Sequence, residues 1–409
     1  MNLQHSRGDQ YYAKKSPHHR HSRPGRFRRS AVLIGINALY LIPGKAGGLE
    51  TVVRNFLSSI RSVDSNNEYI LFSNREGSGS FVLPSNIREV PCPLSATFRP
   101  GKHLWEQFIL PFWLRKYRVE VLLSPGNVTP LCAPCPSVSV INDAVPFIHP
   151  ENFTFGERFS LKILFHLSSL RSSAIITLSE SAKRDLVRHL RIRPERVHVV
   201  HLAAEDRFHP ITAGLNTALA RYGIKRPYIV CVSSSRPYKN VVGAIRAFSL
   251  LKRQHRVPHQ LVVTGLSGRA HREVMQAAAP MVESGDLVFT GFVDDGDLPT
   301  LYSGATASVY PSFYEGFGLP VLESMACGTP VVSSNAASLP EVVGDAGVLF
   351  DPYNISGIAD AIASVLLDPE LHAALREKGF ERVRQFSWDR ATARIIDILA
   401  SQVARPVAN

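Results

Sequence analysis

Twice along its 409 residues this chain alternates short β-rich apolar runs with longer helical patterns, and no other feature restricts its fold as tightly. A strand, a helix and a second strand in succession return the chain to its first direction. A series of them builds a parallel sheet with helices on its faces. The first series predicts strands at 31–36, 69–72, 119–123, 137–141, 174–178 and 197–201. A helix is expected over 48–61, and another begins at Glu180 behind Ser179, whose hydroxyl is suited to cap it. The pattern breaks over 203–210, where a linker is expected. The second series predicts strands at 228–232, 261–264, 287–290, 307–310, 331–333 and 348–350, with helices over 241–253 and 298–303. Two α/β domains follow, 31–210 and 211–385, with ligands in a crevice outside the carboxyl ends of the strands. Residues 386–409, from Ser387-Trp388-Asp389, form a last helix. A hydrophobic content of 45% suffices for two cores. No stretch reaches the roughly 18 apolar residues of a membrane-spanning helix, which predicts a soluble or peripheral protein.

The densest chemistry lies in Ser312-Phe313-Tyr314-Glu315-Gly316-Phe317-Gly318-Leu319-Pro320-Val321-Leu322-Glu323. It follows the strand predicted at 307–310. A glycine turn comes next, and Pro320 then opens a helix whose positive end faces the loop. Backbone N–H groups at such an end suit an anion, and glycine leaves the backbone bare for close approach. Two carboxylates, Glu315 in the loop and Glu323 in the first helical turn, add acceptors for hydroxyl groups. A ligand that carries both phosphates and hydroxyls is a nucleotide sugar. Complementing the helix dipole would account for Glu323 alone, but not for the pair around the glycine turn.

Glu315 and Glu323, separated by seven residues within Glu-Gly-Phe-Gly-Leu-Pro-Val-Leu-Glu, resemble the donor-site signature of the retaining glycosyltransferases of family 4, which have the GT-B fold. Phe289-Thr290-Gly291-Phe292-Val293, Leu298-Pro299-Thr300-Leu301-Tyr302 and Ser338-Leu339-Pro340-Glu341-Val342 fall where that family has similar runs. The resemblance covers residues 31–400 in outline and is most specific over 286–352. It implies two Rossmann-like domains facing a central cleft, with the last helix crossing back onto the first domain. It implies that Glu323 holds the ribose hydroxyls, that Glu315 contacts the transferred sugar, and that the backbone of Gly316, Phe317, Gly318 and Leu319 approaches sugar and phosphates.

The same resemblance extends to three other loops. In Ser233-Ser234-Ser235-Arg236-Pro237-Tyr238-Lys239-Asn240, after a strand and before a helix, Arg236 and Lys239 resemble the cationic pair that the family places on the leaving diphosphate, although family members space that pair more widely. Arginine offers a fork for phosphate oxygens and lysine a point charge, both aimed where negative charge develops. The alternative is two surface charges in a loop. Gly47-Gly48-Leu49-Glu50 resembles the Gly-Gly-x-Glu element whose backbone nears the donor phosphates from the first domain; an ordinary helix start with Glu50 complementing the dipole is the other reading. Val140-Ile141-Asn142-Asp143 ends a first-domain strand where the family commonly has His-Asp. Asn142 cannot accept a proton as a base would. Asp143 is left to position the acceptor or the transferred sugar, or to act in catalysis, while His149 reads as structural. No cofactor or metal is expected. Asp294-Asp295-Gly296-Asp297 reads as a loop and the N-cap of the next helix.

The formal net charge is +12, of which residues 1–30 hold +7, from eight Lys/Arg and one Asp, leaving +5 on the other 379 residues. The excess belongs to a tail with few apolar residues, which predicts disorder. Such a tail suits an anionic membrane surface, or is a solvated extension without a role. Arg28-Arg29 before Ala31-Val32-Leu33-Ile34 imitates a secretory signal, but cleavage there would remove the first strand, so export is not expected. Five scattered cysteines predict no disulfide framework, and Cys132-Ala133-Pro134-Cys135 is a redox pair, half a zinc site or a loop coincidence in a reducing cytosol.

Other functions fit less well. A nicotinamide dehydrogenase would need a glycine where Val321 stands in Gly316-Phe317-Gly318-Leu319-Pro320-Val321. A GT-B nucleotide-sugar epimerase shares the fold but does not need the two glutamates. A nucleic-acid partner is not expected, because the basic excess lies in the tail and not on a folded face; a non-catalytic, basic-tailed binding protein is the remaining alternative. The resemblance implies a cytosolic hexosyltransferase with a nucleotide-sugar donor, GDP-mannose first. Its acceptor would be a growing glycan or lipid-linked glycan in cell-surface polysaccharide synthesis. The stretch 104–116 is amphipathic and either touches a membrane or packs into the first domain.

Overall fold

The computed structural model describes residues 31–403 except 45–46, 226, 235 and 266–269. The basic tail at 1–30 and the end of the last segment, 404–409, lie outside the described residues.

Two parallel sheets organise the described residues from 32 to 403. The first contains β1 (Leu33–Ala38), β2 (Glu68–Ser73), β3 (Ile87–Pro91), β4 (Val121–Ser124), β5 (Ser137–Val140), β6 (Ala174–Thr177) and β7 (Val197–Val199). The second contains β8 (Tyr228–Val232), β9 (Gln260–Thr264), β10 (Leu287–Gly291), β11 (Ala307–Tyr310), β12 (Val331–Ser334) and β13 (Gly347–Phe350). The strand orders are β3-β2-β1-β4-β5-β6-β7 and β10-β9-β8-β11-β12-β13. Both are Rossmann orders that reverse direction between two central strands, β1 and β4 in one sheet and β8 and β11 in the other. The central strands read as continuous apolar runs because helices cover both faces, and β4, β6 and β11 are buried at every position.

Every strand expected from the sequence is present, with ends moved by no more than two residues. β3 is an addition. Its Ile-Arg-Glu-Val-Pro buries only Ile87 and Val90, and Pro91 is tolerated because β3 is an edge strand. Residues 200–214 carry no helix or strand. The helix Trp388–Val403 packs on the helix Gly48–Val63 and against β4 and β6 of the first sheet. Trp388, Ile395, Ile396, Ile398 and Leu399 therefore join the core of Val52, Val53, Phe56 and Ile60.

The stretch 104–116 is not one regular helix. A π-turn, Trp105–Ile109, precedes the helix Leu110–Lys116, and the Leu110 N–H donates to the Trp105 carbonyl. Pro111 explains the irregularity, since it has no N–H for the Gln107 carbonyl and its ring would crowd that group. Trp105, Leu110 and Leu114 pack into the first domain, while Leu104, Phe108 and Phe112 stay exposed.

Candidate active site

The loops after β8 and β11 flank the point where the second sheet reverses its order, the position at which a parallel sheet opens a crevice. Lys239 and Glu315 meet there. The Lys239 Nζ donates to both carboxylate oxygens of Glu315, at 2.6 and 2.7 Å, and Ser312 Oγ donates to Glu315 Oε1 at 2.8 Å. Asn240, with φ 52°, ties the two loops together. Its Nδ2 donates to the carbonyls of Pro311 and Pro352 at 3.0 Å, and its Oδ1 caps the helix Val241–His255 at Gly243 N. Asparagine tolerates this left-handed backbone better than most residues. Burial alone would depress the Lys239 ammonium, but the Glu315 carboxylate beside it leaves its pKa raised, so lysine stays charged.

Glycines shape the loop between Glu315 and the helix Leu319–Ala326. A Cβ on Gly316 would stand 2.8 Å from the Asn142 carbonyl and 2.9 Å from Asp143 Cβ, across the cleft in the first domain. Gly318 has φ 121°, a backbone that side chains rarely permit. The carbonyls of this loop are taken up by serines. Ser338 Oγ donates to those of Glu315 and Phe317 at 2.8 and 2.6 Å, and Ser179 Oγ to that of Gly316 at 2.9 Å. The N–H groups of Gly316, Phe317 and Gly318 have no hydrogen-bond acceptor among the described residues. They are available to an anion, as the start of the helix is. The Phe317 side chain itself is buried between His201 and Phe386. A narrow gap lies here against Ser233, Lys239, Tyr310, Ser312, Glu315 and Gly318.

Asp143 approaches from the first domain beside Gly316. Its Oδ1 accepts from the Val145 N–H at 3.0 Å. Burial and the neighbouring Glu315 raise its pKa against the pull of that hydrogen bond, Lys239 and Arg236. Arg236 is exposed at the mouth. Asn142 accepts nothing at its buried Oδ1, while its N–H donates to Asn127 Oδ1 at 3.1 Å. Gly47 and Gly48 start their helix beyond the carboxyl end of β1, where a Cβ added to either glycine would meet nothing within 4 Å. Glu50 is held locally, by the Gly44 N–H and by Arg54 at 2.8 Å.

Glu323 departs from the sequence expectation. The helix begins at Leu319, with Pro320 second, so Glu323 lies in its second turn and the dipole does not account for it. Nor does it touch Lys239 or Glu315. It sits half-buried beside Tyr302, whose OH donates to Oε2 at 3.3 Å, with Arg207, Glu205 and Asp295 nearby. Burial pushes its carboxyl up to about 7. Asp297 precedes the helix Leu298–Ser303 but does not cap it with its side chain; the carboxylate instead takes Arg221 at 2.9 Å and the Tyr222 hydroxyl at 2.6 Å. Ser179 does cap its helix, accepting from Ala182 N at 3.0 Å.

Several cross-domain contacts are not legible as functional in the sequence. The Tyr314 hydroxyl donates to Asp185 at 3.0 Å and accepts from the Ala144 N–H at 3.3 Å. His149, paired with Glu151 at 2.8 Å, stacks on Tyr238 with centroids 6.1 Å apart. Glu341 accepts from Glu180 N at 2.9 Å and from Ser181 N at 3.4 Å, and pairs with His201 at 2.7 Å. Of these residues, Tyr314, Tyr238 and Glu341 lie within runs singled out in the sequence, but nothing there marks them for contacts between domains, and Asp185 and His201 carry no sequence signal. No group of three or more His, Cys, Asp or Glu placed to hold a metal ion occurs among the described residues.

Comparison with known proteins bears on family and fold. Residues 220–382 match the model of glycosyl transferases group 1, and residues 46–206 that of glycosyltransferase family 4. The chain is 33% identical over 263 residues to the O-antigen chain mannosyltransferase B of Escherichia coli, a match covering 64% of this chain and 69% of that protein. It is 30% identical over 261 residues to the serotype-specific mannosyltransferase WbdA of Escherichia coli, a match covering 62% of this chain but only 32% of WbdA. The fold superposes on the sucrose-phosphate synthase of Thermosynechococcus elongatus with a TM-score of 0.73 at 17% identity, over 90% of this chain and 98% of that one.

Proposed function

Since the chain belongs to the group 1, family 4 glycosyltransferases, we propose that its cleft moves a hexose, first mannose from GDP-mannose, from a nucleoside diphosphate sugar to a hydroxyl of a growing glycan. The observation that carries this reading is the Lys239–Glu315 pair at the sheet reversal, beside the unpaired N–H groups of Gly316 to Gly318. A diphosphate entering there accepts hydrogen bonds from those N–H groups and shares the Lys239 ammonium with Glu315. Arg236 at the mouth reaches it as a second cation. As the glycosidic oxygen departs, these fixed donors meet charge that develops on the phosphate, the condition for lowering the barrier. Glu315 remains as an acceptor for hydroxyls of the sugar, and Glu323 for those of the ribose. Asp143, its pKa raised by burial, positions the sugar or the incoming hydroxyl. Transfer by a same-face route retains configuration, with the leaving phosphate taking the acceptor proton. Contact of Gly316 with Asn142 and Asp143 closes the cleft against water.

The mannosyltransferase names of the relatives support mannose as the sugar. A lipid-linked glycan is the proposed acceptor, met on the cytosolic face of a membrane to which the basic residues 1–30 would attach. The test is calorimetry or thermal shift with a panel of guanosine, uridine and deoxythymidine diphosphate sugars. The expected result is stabilisation by the guanosine sugar, lost in Glu323→Ala. Stabilisation by a uridine or deoxythymidine sugar would overturn the donor, and stabilisation by none, with folded protein, would overturn the transferase reading of this cleft.

A further inference from the structure

Phe313 and Tyr353 form an aromatic pair outside the carboxyl ends of β11 and β13. Their rings stack with centroids 4.6 Å apart and planes 23° apart. Phe313 is half-buried, while Tyr353 is 74% exposed. An exposed side chain ordinarily turns freely, but this one is fixed from several sides. The Tyr353 N–H donates to Asp351 Oδ1 at 2.9 Å, and the Pro352 carbonyl accepts from Asn240 Nδ2 at 3.0 Å. Asn354 caps the helix Ile355–Leu367, its Oδ1 accepting from Gly357 N at 3.0 Å. Holding an apolar face rigid in water gains little for the fold. It lowers the ordering cost for a ligand that stacks there.

The pair stands at the rim of the cleft. The Phe313 N–H donates to the Tyr238 carbonyl at 2.8 Å, and Tyr238 stacks on His149 of the first domain. The next residue, Tyr314, reaches Asp185 and Ala144 across the cleft. The sheet also separates the pair from the niche of Glu323. Asp295, a neighbour of Glu323, follows β10 at one edge of the second sheet, and Tyr353 follows β13 at the other. Lys239 and Glu315 follow β8 and β11, which lie between those edges. In the donor reading given above, a sugar held at Glu315 has its nucleoside on one side and the Phe313–Tyr353 pair on the other.

The side chains around the rings select the ligand. Residues 311–314, 335–338 and 351–356 include one charged side chain, Asp351, and no Lys or Arg. Asn335 and Asp351 are both exposed. They follow the adjacent strands β12 and β13, where the Asn335 N–H donates to the Phe350 carbonyl at 2.8 Å. An amide and a carboxylate beside an open aromatic face suit a ligand with an apolar C–H face and a rim of hydroxyls, which is a pyranose. A phosphate would meet no cation on these loops. A stable protein partner needs roughly 800 Å² from each side, whereas one aromatic side chain offers about 150–250 Å².

We propose that Phe313 and Tyr353 form a glycan platform, on which one sugar unit of the acceptor stacks while Asn335 and Asp351 bond its hydroxyls. That unit is not the one that reacts. It lies further along the acceptor, and its seat on the platform sets which hydroxyl reaches the cleft. The acceptor is then selected by length, because a monosaccharide cannot occupy the cleft and the platform together. The inference rests on the glycosyltransferase reading of the cleft for the class of its ligand, but not on which nucleotide or sugar the donor carries.

Calorimetry of the full chain with linear α-linked tetrasaccharides of mannose, glucose and galactose, without donor, tests the platform apart from catalysis. The expected result is binding of at least one of them, weakened about tenfold in Tyr353→Ala, the size of one lost aromatic stack, and restored in Tyr353→Trp. Matching melting curves for parent and variants separate this loss from unfolding. In transfer assays, the ratio of kcat/KM for the tetrasaccharide to that for the monosaccharide should fall about tenfold in Tyr353→Ala. Equal glycan affinity in parent and Tyr353→Ala, or binding of none of the three glycans, would overturn the proposal. A weaker affinity of Tyr353→Ala for the nucleotide sugar would overturn it by assigning the rings to the nucleobase, and a solution dimer that Tyr353→Ala dissolves would assign them to a second copy. The donor reading fails separately. No stabilisation by any nucleotide sugar, with glycan binding that still depends on Tyr353, would overturn the donor and leave the platform standing.

Discussion

Lys239 and Glu315 stand 76 residues apart in the chain, yet they form a two-pronged ion pair. Lys239→Ala should lower kcat by about 100-fold or more, the order seen when a transition-state donor is removed. Near-normal turnover at saturating donor would refute its place at the leaving group. Glu323 makes a different prediction, one that depends on pH. An unfolded glutamate ionises near 4.5, and burial raises this one to about 7. The folded protein therefore binds the extra proton between those values. Stability from the neutral form is complete below about 4.5 and is lost as pH rises through 7. Glu323→Gln should thus gain melting temperature over the parent at about pH 8 and not at about pH 4.5. Nucleotide affinity should fall from about pH 8 to about pH 6 in the parent, and be both weaker and flatter in the variant. An unaltered affinity in Glu323→Gln would remove it from the ribose.

Elements meet across the cleft through a few polar ends. Glu341, on the short helix Leu339–Val343 of the second domain, caps the helix Glu180–Leu190 of the first and pairs with His201. Burial would raise its carboxyl, but His201 and the N–H groups of Glu180 and Ser181 hold it below the ordinary glutamate value. Its contribution is present above that ordinary value and fades as pH falls through the lowered one. Glu341→Ala should cost about 1–2 kcal/mol, as loss of a helix cap does. It should also widen the molecule by small-angle scattering and speed proteolysis within 200–214; an unchanged scattering profile would refute the latch. Such contacts cannot be read from sequence, since Tyr314, Asp185, His201 and Glu341 are ordinary residues in loops or helices until two domains bring them together. Within single elements the sequence is more legible. β8 and β11 match their expected bounds residue for residue because they are apolar at nearly every position. β3 escapes detection because an edge strand buries few of its residues.

At the scale of the molecule, the last helix closes the fold on its first domain. Leu399 is fully buried there. Leu399→Ala should cost about 2–5 kcal/mol, and hydrogen exchange should rise in β4 and β6 rather than in the second sheet that precedes the helix in sequence. Deleting residues 1–30 should leave transfer to a soluble acceptor intact; its loss in a folded protein would show that the tail belongs to the working enzyme. The alternation of apolar runs with helical stretches determined two parallel sheets, because strand period, helix period and short connections leave few ways to bury both faces. The Glu315–Glu323 motif likewise marked a loop and helix start that lie at the reversal of the second sheet, since glycine, proline and carboxylate act through local backbone rules. Tertiary structure alone decided that Lys239 pairs with Glu315, that Glu323 stands in a separate, desolvated niche, and that Phe313 stacks on Tyr353. Each of these depends on distances between segments far apart in the chain, and on what the rest of the protein leaves uncovered.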